Sequence, residues 1–394
     1  MRTLIVSDLH LGSVSRADLL RRPELRAALL DAVADTDAQR VVLLGDVLEL
    51  RHGPMRDAMA AARPFFEDIG QALADRELVI VAGNHDHALV EPWLARRGEE
   101  YEAQELGVEQ LLEPALVSPA LERIAGWIAP ARLRVAYPGL WVRPDVYATH
   151  GHYLDCHLTV PTLERLSVGI MSRVLGRPAS EFQSVTDYEA TVAPAFAWRD
   201  AVARDGPTGA ALNGGATVTA WNALRADRGG LRGYRDLLPW LRARAIVGAF
   251  KLTVAGLNRA GVGPLRADLS ASELRRAGLR AMGEVAARLG LGEAYVVFGH
   301  THRAGPLPGD DELEWRGRDG ARLVNAGSWT YAPIFLTERP GESPYWPGVC
   351  VLVDDDGPPR VTRLLQDRTH AQLRAEASDR GASVSEKLAS PQER

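Results

Sequence analysis

Leu4-Ile5-Val6-Ser7-Asp8-Leu9-His10 opens the chain with a short apolar run that breaks off into an acid and a histidine, and the rest of the sequence repeats that device four times. Gly45-Asp46 follows Val41-Val42-Leu43-Leu44, and Gly83-Asn84-His85-Asp86 follows Leu78-Val79-Ile80-Val81. His150-Gly151-His152 follows Val146-Tyr147-Ala148, and Gly299-His300-Thr301-His302 follows Tyr295-Val296-Val297-Phe298. Short β-branched runs bounded by glycine and polar residues read as buried strands. The acids and histidines then stand where strands end, and they are predicted to converge on one edge of a sheet.

Side chains alternate along a strand, so Asp8 and His10, two apart, are predicted to point the same way and grip one cation, with His300 and His302 repeating the arrangement. The two oxygens of Asp46 can bridge two ions. Imidazole nitrogens and the neutral amide oxygen of Asn84 complete mixed N/O shells that suit Mn, Fe or Zn. Gly45, Gly83, Gly151 and Gly299 let the backbone turn or approach closely beside such ions. Two bridged cations about 3.5–4 Å apart are the usual arrangement for in-line attack on phosphorus. Any one of these histidines, taken singly, is more often a structural residue than a ligand. Five such strand ends in one chain make coincidence the weaker reading.

In this order the motifs resemble the calcineurin-like metallophosphoesterase superfamily, over roughly the first 155 residues and again from about Ala294 to Leu365. The resemblance implies a layered α/β fold, a β-sandwich core flanked by helices (αββα), and two divalent metal ions, with Mn favoured over Fe or Zn. Carried over position by position, it puts one metal on Asp8, His10, Asp46 and His302, and the other on Asp46, Asn84, His150 and His300. His152 is the alternative to His150. His85 matches the family's catalytic histidine, which would protonate the leaving oxygen as a general acid while Glu49 or Asp86 orients it. The implied reaction is hydrolysis of a phosphate ester (monoester, diester or pyrophosphate) by a hydroxide bridging the metals. A nuclease or protein phosphatase of the same superfamily is the competing hydrolase, and a non-catalytic metal-binding scaffold or sensor is the competing class. No arginine and aromatic array organised for single-stranded nucleic acid is recognisable.

Asp8-Leu9-His10-Leu11, Gly45-Asp46-Val47-Leu48-Glu49 and Gly299-His300-Thr301-His302-Arg303 are also similar to bacterial UDP-2,3-diacylglucosamine pyrophosphatase-like enzymes. That group commonly carries arginine where His85 stands and an acid where His152 stands, so its substrate does not carry over. His87 and His52 read as surface groups or as supports behind the ligands. Asn325-Ala326-Gly327-Ser328 reads as a structural loop near the site.

Composition fits a globular enzyme: 394 residues, 46% hydrophobic and 25% charged, more than one typical domain. A net charge of −5 gives no global reason to expect nucleic acid. Cys156 and Cys350 are far apart and fit neither a disulfide framework nor a thiolate zinc site, so a reducing cytoplasm is the expected location. Met1-Arg2-Thr3 runs straight into the first strand, leaving no room for a cleaved leader ahead of Asp8. No uncharged window of about 20 residues is present for a spanning helix.

Strand runs alternate with helical patterns. Leu19, Leu20, Leu25, Leu29, Leu30 and Val33 recur at helical spacing, and Asp57 to Leu73 is a second periodic segment. Glu91 to Pro138 reads as helical stretches interrupted by Pro114, Pro119 and Pro130, with strand character returning at Trp141-Val142. The domain reading is a core of 1–155 and 291–368, a helical cap insertion of 156–290 and a disordered tail of 369–394. Leu163, Leu166, Ile170, Met171 and Val174 mark one cap helix, and Leu274, Leu279, Met282, Val285, Ala286 and Leu289 another. Pro207-Thr208-Gly209 and Asn213-Gly214-Gly215 read as loops between them.

The insertion leaves and re-enters the core at two ligand-bearing loops, so it is expected to stand over the metals and select the substrate. Leu237 to Leu257 is apolar but broken by Arg242, Arg244 and Lys251. It reads as packing inside the cap; the other reading is a peripheral membrane contact or a greasy pocket for a lipid-like phosphate ester. Trp198, Trp221 and Trp240 fit either.

Overall fold

Each of the five apolar runs forms a strand in the computed structural model, which describes residues 1–51, 53–99, 105–204, 248, 250–268, 270–337, 339 and 342–374. They are β1 (Thr3–Val6), β2 (Arg40–Leu44), β3 (Glu77–Val81), β7 (Val146–Thr149) and β8 (Tyr295–Phe298). Between them lie β4 (Gln110–Leu112), β5 (Arg132–Tyr137) and β6 (Gly139–Arg143). After them come β9 (Ala304–Gly305), β10 (Arg322–Ala326), β11 (Val349–Val353) and β12 (Arg360–Arg363).

The described residues form a mixed α/β fold with two mixed sheets. The larger has the order β12-β11-β1-β2-β3-β5-β4, with β1, β2, β3 and β5 parallel. The smaller has the order β6-β7-β8-β10-β9, with β7, β8 and β10 parallel. The candidate ligands therefore do not converge on one edge of one sheet. They gather where the ends of β1, β2 and β3 meet the ends of β7 and β8 from the other sheet. In-register parallel pairing, Val6 with Leu43 and Leu44 with Val81, brings the loops after β1, β2 and β3 to one level.

Strand alternation divides the core. Ile5, Val42, Leu44, Val79 and Val81 share one buried cluster with Val146, Ala148, Val297 and Val324, so it draws on both sheets. The opposite residues, Leu4, Val6, Val41, Leu43, Leu78 and Ile80, pack on α1 (Pro23–Asp35), α2 (Met55–Leu73) and, beyond α3 (Glu91–Glu99) and α4 (Pro114–Val117), on α5 (Pro119–Trp127). Leu25, Leu29, Phe65, Phe66, Ile69 and Ile124 are their partners. On the second sheet Tyr147, Val296, Phe298 and Leu323 join a third cluster. Helices α7 (Val185–Arg204) and α8 (Ala271–Arg288) contribute Tyr188, Val192, Phe196, Met282 and Val285 to it, and α6 (Leu163–Leu175) contributes Val168.

Thr162 caps α6 by accepting the Arg165 N–H, and Gly176 ends it in the left-handed conformation. Glu189 of α7 accepts hydrogen bonds from the hydroxyls of Tyr137 and Tyr153, each at 2.5 Å. Its other oxygen lies 3.3 Å from His87 Nε2. His87 is thus buried against α7 rather than on the surface.

Two further readings change. The segment Glu91–Pro138 contains β4 and β5 as well as helices; in β5 the charged Arg132 and Arg134 alternate with buried Leu133 and Val135, a period-2 pattern hidden among prolines and alanines. The tail does not begin at Thr369. Thr369 and Gln372 form a reciprocal capping box on a short helix, His370–Leu373, that buries Leu373 and sets the His370 ring 4.9 Å from Trp346. His52, the loops at 207–209 and 213–215, Trp221 and residues 237–247, with Trp240, Arg242 and Arg244, lie outside the described residues. Among the described residues no helix is long and apolar enough to cross a membrane.

Candidate metal centre

Strands β1 and β8 stop at Val6 and Phe298, so strand alternation is not what aims Asp8, His10, His300 and His302. Backbone conformation does. Asp8 (φ 57), His10 (φ 45), Asp46 (φ 50), His300 (φ 64) and His302 (φ 58) all occupy the left-handed region. Residues with a Cβ rarely adopt it, and such strain gathers at functional sites. Cross-loop hydrogen bonds hold it in place: Asp8 N–H to Gly45 O at 3.1 Å, His10 N–H to Asp46 O at 2.8 Å, and Gly299 N–H to His150 O at 3.0 Å. Two glycines make room. A Cβ on Gly83 would fall 2.3 Å from Asp46 Oδ1, and one on Gly299 would fall 2.0 Å from Ser7 Oγ.

Three groups of side chains among the described residues bring ligand atoms close enough to hold a metal ion: Asp8, His10 and His302; His10, Asp46 and His85; and Asp46, His150 and His300. In the first, Nε2 of His302 lies 3.1 Å from Asp8 Oδ1 and 3.3 Å from His10 Nε2. In the third, His150 Nε2 lies 3.4 Å from Asp46 Oδ1 and 3.0 Å from Asn84 Oδ1, and His300 Nδ1 lies 3.0 Å from the same Asn84 oxygen. Ligands on one ion at about 2.1 Å stand roughly 3.0–3.4 Å apart in octahedral or tetrahedral shells, so these separations suit a shared cation. Asp46 divides its oxygens between the groups, Oδ1 toward His150 and Oδ2 3.6 Å from His10 Nε2.

The hydrogen bonds around the cluster leave its inner atoms electron-rich. Asp8 Oδ2 is taken up by the Ser7 hydroxyl at 2.6 Å and the His300 N–H at 3.0 Å, while the buried Asp8 Oδ1 has no hydrogen-bond donor among the described residues. The outer nitrogens of three histidines face groups that only accept: His10 Nδ1 faces Glu49 Oε2 at 3.1 Å, His150 Nδ1 faces Leu44 O at 3.0 Å, and His300 Nε2 faces Asp155 Oδ2 at 3.0 Å. Each ring has an acceptor for its outward N–H, so that displacing its second proton turns a lone pair inward. His302 Nδ1 faces the Thr330 hydroxyl at 3.3 Å. A buried orphan carboxylate oxygen among inward lone pairs fits a cation.

Burial alone would lower the histidines and raise the acids. Neighbouring charge outweighs it. His10 rises to about 9 through its hydrogen bond with Glu49 and the charge of Asp46, and His150 rises to about 10 through Asp46. His302 brings Asp8 down to about 2, and His150 and His85 hold Asp46 well below the usual carboxylate range. His85 behaves oppositely: burial and then the Arg51 guanidinium push it down to about 4, against Glu49 and Asp46.

Glu49 and Asp86 part company here. Glu49 Oε2 lies 2.8 Å from His85 Nδ1. Asp86 turns away and takes three backbone N–H groups, Gly83 at 2.7 Å, Val47 at 2.7 Å and Leu48 at 3.2 Å, stitching the β2 and β3 loops together. His150 joins the cluster and His152 does not. The His152 ring is buried against Tyr153 and Phe196, and neither of its nitrogens has a hydrogen-bond partner among the described residues. Asn325 donates to Gly299 O and Thr301 Oγ1, and the Ser328 hydroxyl to Asp8 O, so that loop holds two ligand loops.

Asp155, Ser7 and Thr330 escaped the sequence reading. Asp155 and Thr330 touch a ligand through folding, Asp155 from 145 residues away, and belong to no motif with a marked spacing, whereas Ser7 is the chain neighbour of the Asp8 it touches. No protein-family model matches the chain, and no curated protein matches it.

Proposed function

We propose that this chain is a dinuclear-metal phosphoesterase, built as a two-sheet sandwich with helical layers. The observation that carries the reading is the division of the Asp46 carboxylate between two histidine-bearing groups, the donor pattern of a bridging ligand. One cation would take Asp8, His10, Asp46 and His302, the other Asp46, Asn84, His150 and His300. The mixed nitrogen and oxygen donors suit Mn, Fe or Zn. When bound, two such cations polarise phosphoryl oxygens and acidify water, which is most of what phosphoryl transfer needs.

The chain's own groups supply position and a proton. Glu49 accepts from His85 Nδ1, which fixes the ring and leaves Nε2 as the nitrogen that meets the leaving oxygen. In the free protein His85 is unprotonated at neutral pH. A phosphate beside it, by its negative charge, raises it and draws in the proton that the leaving group takes. Glu49 Oε2 also faces His10 Nδ1, so one carboxylate aligns the acid and a metal ligand together.

Helix α7 approaches this site, which supports the cap reading: its Phe196 ring lies 5.5 Å from the guanidinium of Arg51, and that guanidinium donates to the backbone carbonyl of Asn84. A cavity of about 430 Å³ opens between α6, α8 and residues 261–264, but its wall, which includes Arg165, Arg280 and Glu284, contains none of the candidate metal ligands, so it does not serve as the place of the reacting phosphate. Trp198 is exposed, and Phe250 packs half-buried against the third cluster. Release of phosphate or alcohol from monoesters, diesters and pyrophosphates by Mn-loaded protein, silenced in Asp46→Ala, tests the function. Full metal binding without turnover of any of them would instead favour a metal-binding scaffold.

A further inference from the structure

We propose that Asp155 is the positioning residue that keeps the His300 proton on Nε2, so that Nδ1 is the atom this histidine offers to the second cation. The proposal rests on the dinuclear reading above and assigns a residue to it that lies in none of the ligand motifs.

Asp155 belongs to a 3-10 turn, His152–Cys156, that begins two residues after the ligand His150, and its side chain is buried. Oδ2 lies 3.0 Å from His300 Nε2. An ionised carboxylate only accepts, so the ring proton sits on Nε2 and the lone pair on Nδ1. That lone pair lies 3.0 Å from Asn84 Oδ1, in the group with Asp46 and His150. Two acceptor atoms at this distance suit a cation shared between them. A ring turned about its Cβ–Cγ bond would give up the Asp155 hydrogen bond.

His150 is held in the same sense, but by the backbone carbonyl of Leu44, which no substitution removes. In His300 the acceptor is a side chain, so the device can be tested. Such outer partners of metal-binding histidines fix the tautomer, and their loss commonly weakens metal affinity about 10- to 100-fold.

The test uses the full chain, Mn²⁺ titration calorimetry with metal analysis, and nitrogen-15 spectra of the histidine rings in Zn²⁺-loaded protein. Wild type is expected to bind two cations and to show His300 with Nε2–H and a metal-bound Nδ1. Asp155→Ala is expected to keep one site at wild-type affinity and to weaken the other by about 10- to 100-fold. Asp155→Asn, whose amide oxygen accepts the same N–H, should stay close to wild type at both sites. Two unweakened sites in Asp155→Ala would overturn the proposal, as would equal losses at both sites in both variants, or a His300 proton on Nδ1. Should Asp155→Ala not fold, the wild-type spectrum and Asp155→Asn decide. A wild-type chain that binds no cation overturns the dinuclear reading itself, which separates the two failures.

Discussion

The Nε2 atoms of His10 and His302, 292 residues apart in the chain, lie 3.3 Å from one another. Nδ1 of His10 is committed to the Glu49 carboxylate, and the orphan Asp8 Oδ1 stands 3.1 Å from His302 Nε2. Electron-rich atoms this close repel unless a positive charge sits among them. In the metal-free protein a proton can supply that charge, and on the dinuclear reading a bound cation would replace it.

A pH dependence follows from that exchange. His10 and His150 rise from 6.5 to about 9 and about 10 on folding. Groups raised in this way contribute stability that is complete below pH 6.5 and is lost as pH climbs through 9 and 10. The thermal midpoint of chelator-stripped protein is expected to fall across that interval. With saturating Mn²⁺ it should hold or rise, because the cation replaces the protons. Parallel curves with and without metal would contradict the exchange.

Asp46→Ala removes the ligand common to both groups and leaves the His85 N–H, now 2.8 Å from Asp46 Oδ1, without its acceptor. Metal analysis is expected to show loss of both ions, and turnover should fall by orders of magnitude. A fully metallated, active variant would refute the bridging role.

His85→Ala separates acid from metal. Bound metal and thermal stability should stay near wild type, while turnover of an alkyl phosphate ester drops by about 10²–10⁴. Esters with a nitrophenolate leaving group, which departs without a proton, should lose much less. Equal losses on both substrates would assign His85 to positioning instead of proton donation.

How much of this was legible from the residues alone depends on where each signal lies. Asp8, Asp46, Asn84, His150, His300 and His302 were readable because each follows an apolar run, and strand ends are where side chains meet. Two sheets were expected only from the family resemblance; the residues alone did not divide the strands between them, since β1 and β8 look alike in sequence and only pairing assigns them. Strand alternation was the wrong reason for grouping Asp8 with His10; left-handed backbone, invisible in residue types, brings their side chains together. β5 was missed because Arg132 and Arg134 interrupt it, and Asp155 because nothing in sequence links it to His300.

Gly299→Ala probes the close approach that the cluster requires. Its Cβ would fall 2.0 Å from Ser7 Oγ and 2.4 Å from Asp8 Oδ2, so the loops must part. Overpacking of this kind costs about 1–3 kcal/mol. Chemical denaturation should report that loss, together with weakened binding of the cation on Asp8. Unchanged stability and affinity would show that the loops are looser than these distances imply.

Titration of Mn²⁺ into chelator-stripped protein, with hydrolysis of an aryl phosphate ester followed at each addition, is the most direct test of a dinuclear phosphoesterase. Activity is expected to be absent from the stripped chain, to rise as the second ion binds, and to level off at two ions per chain. Protein that takes up both ions and releases no product from a phosphomonoester, a diester or a pyrophosphate, or that hydrolyses them equally well when stripped, would contradict it.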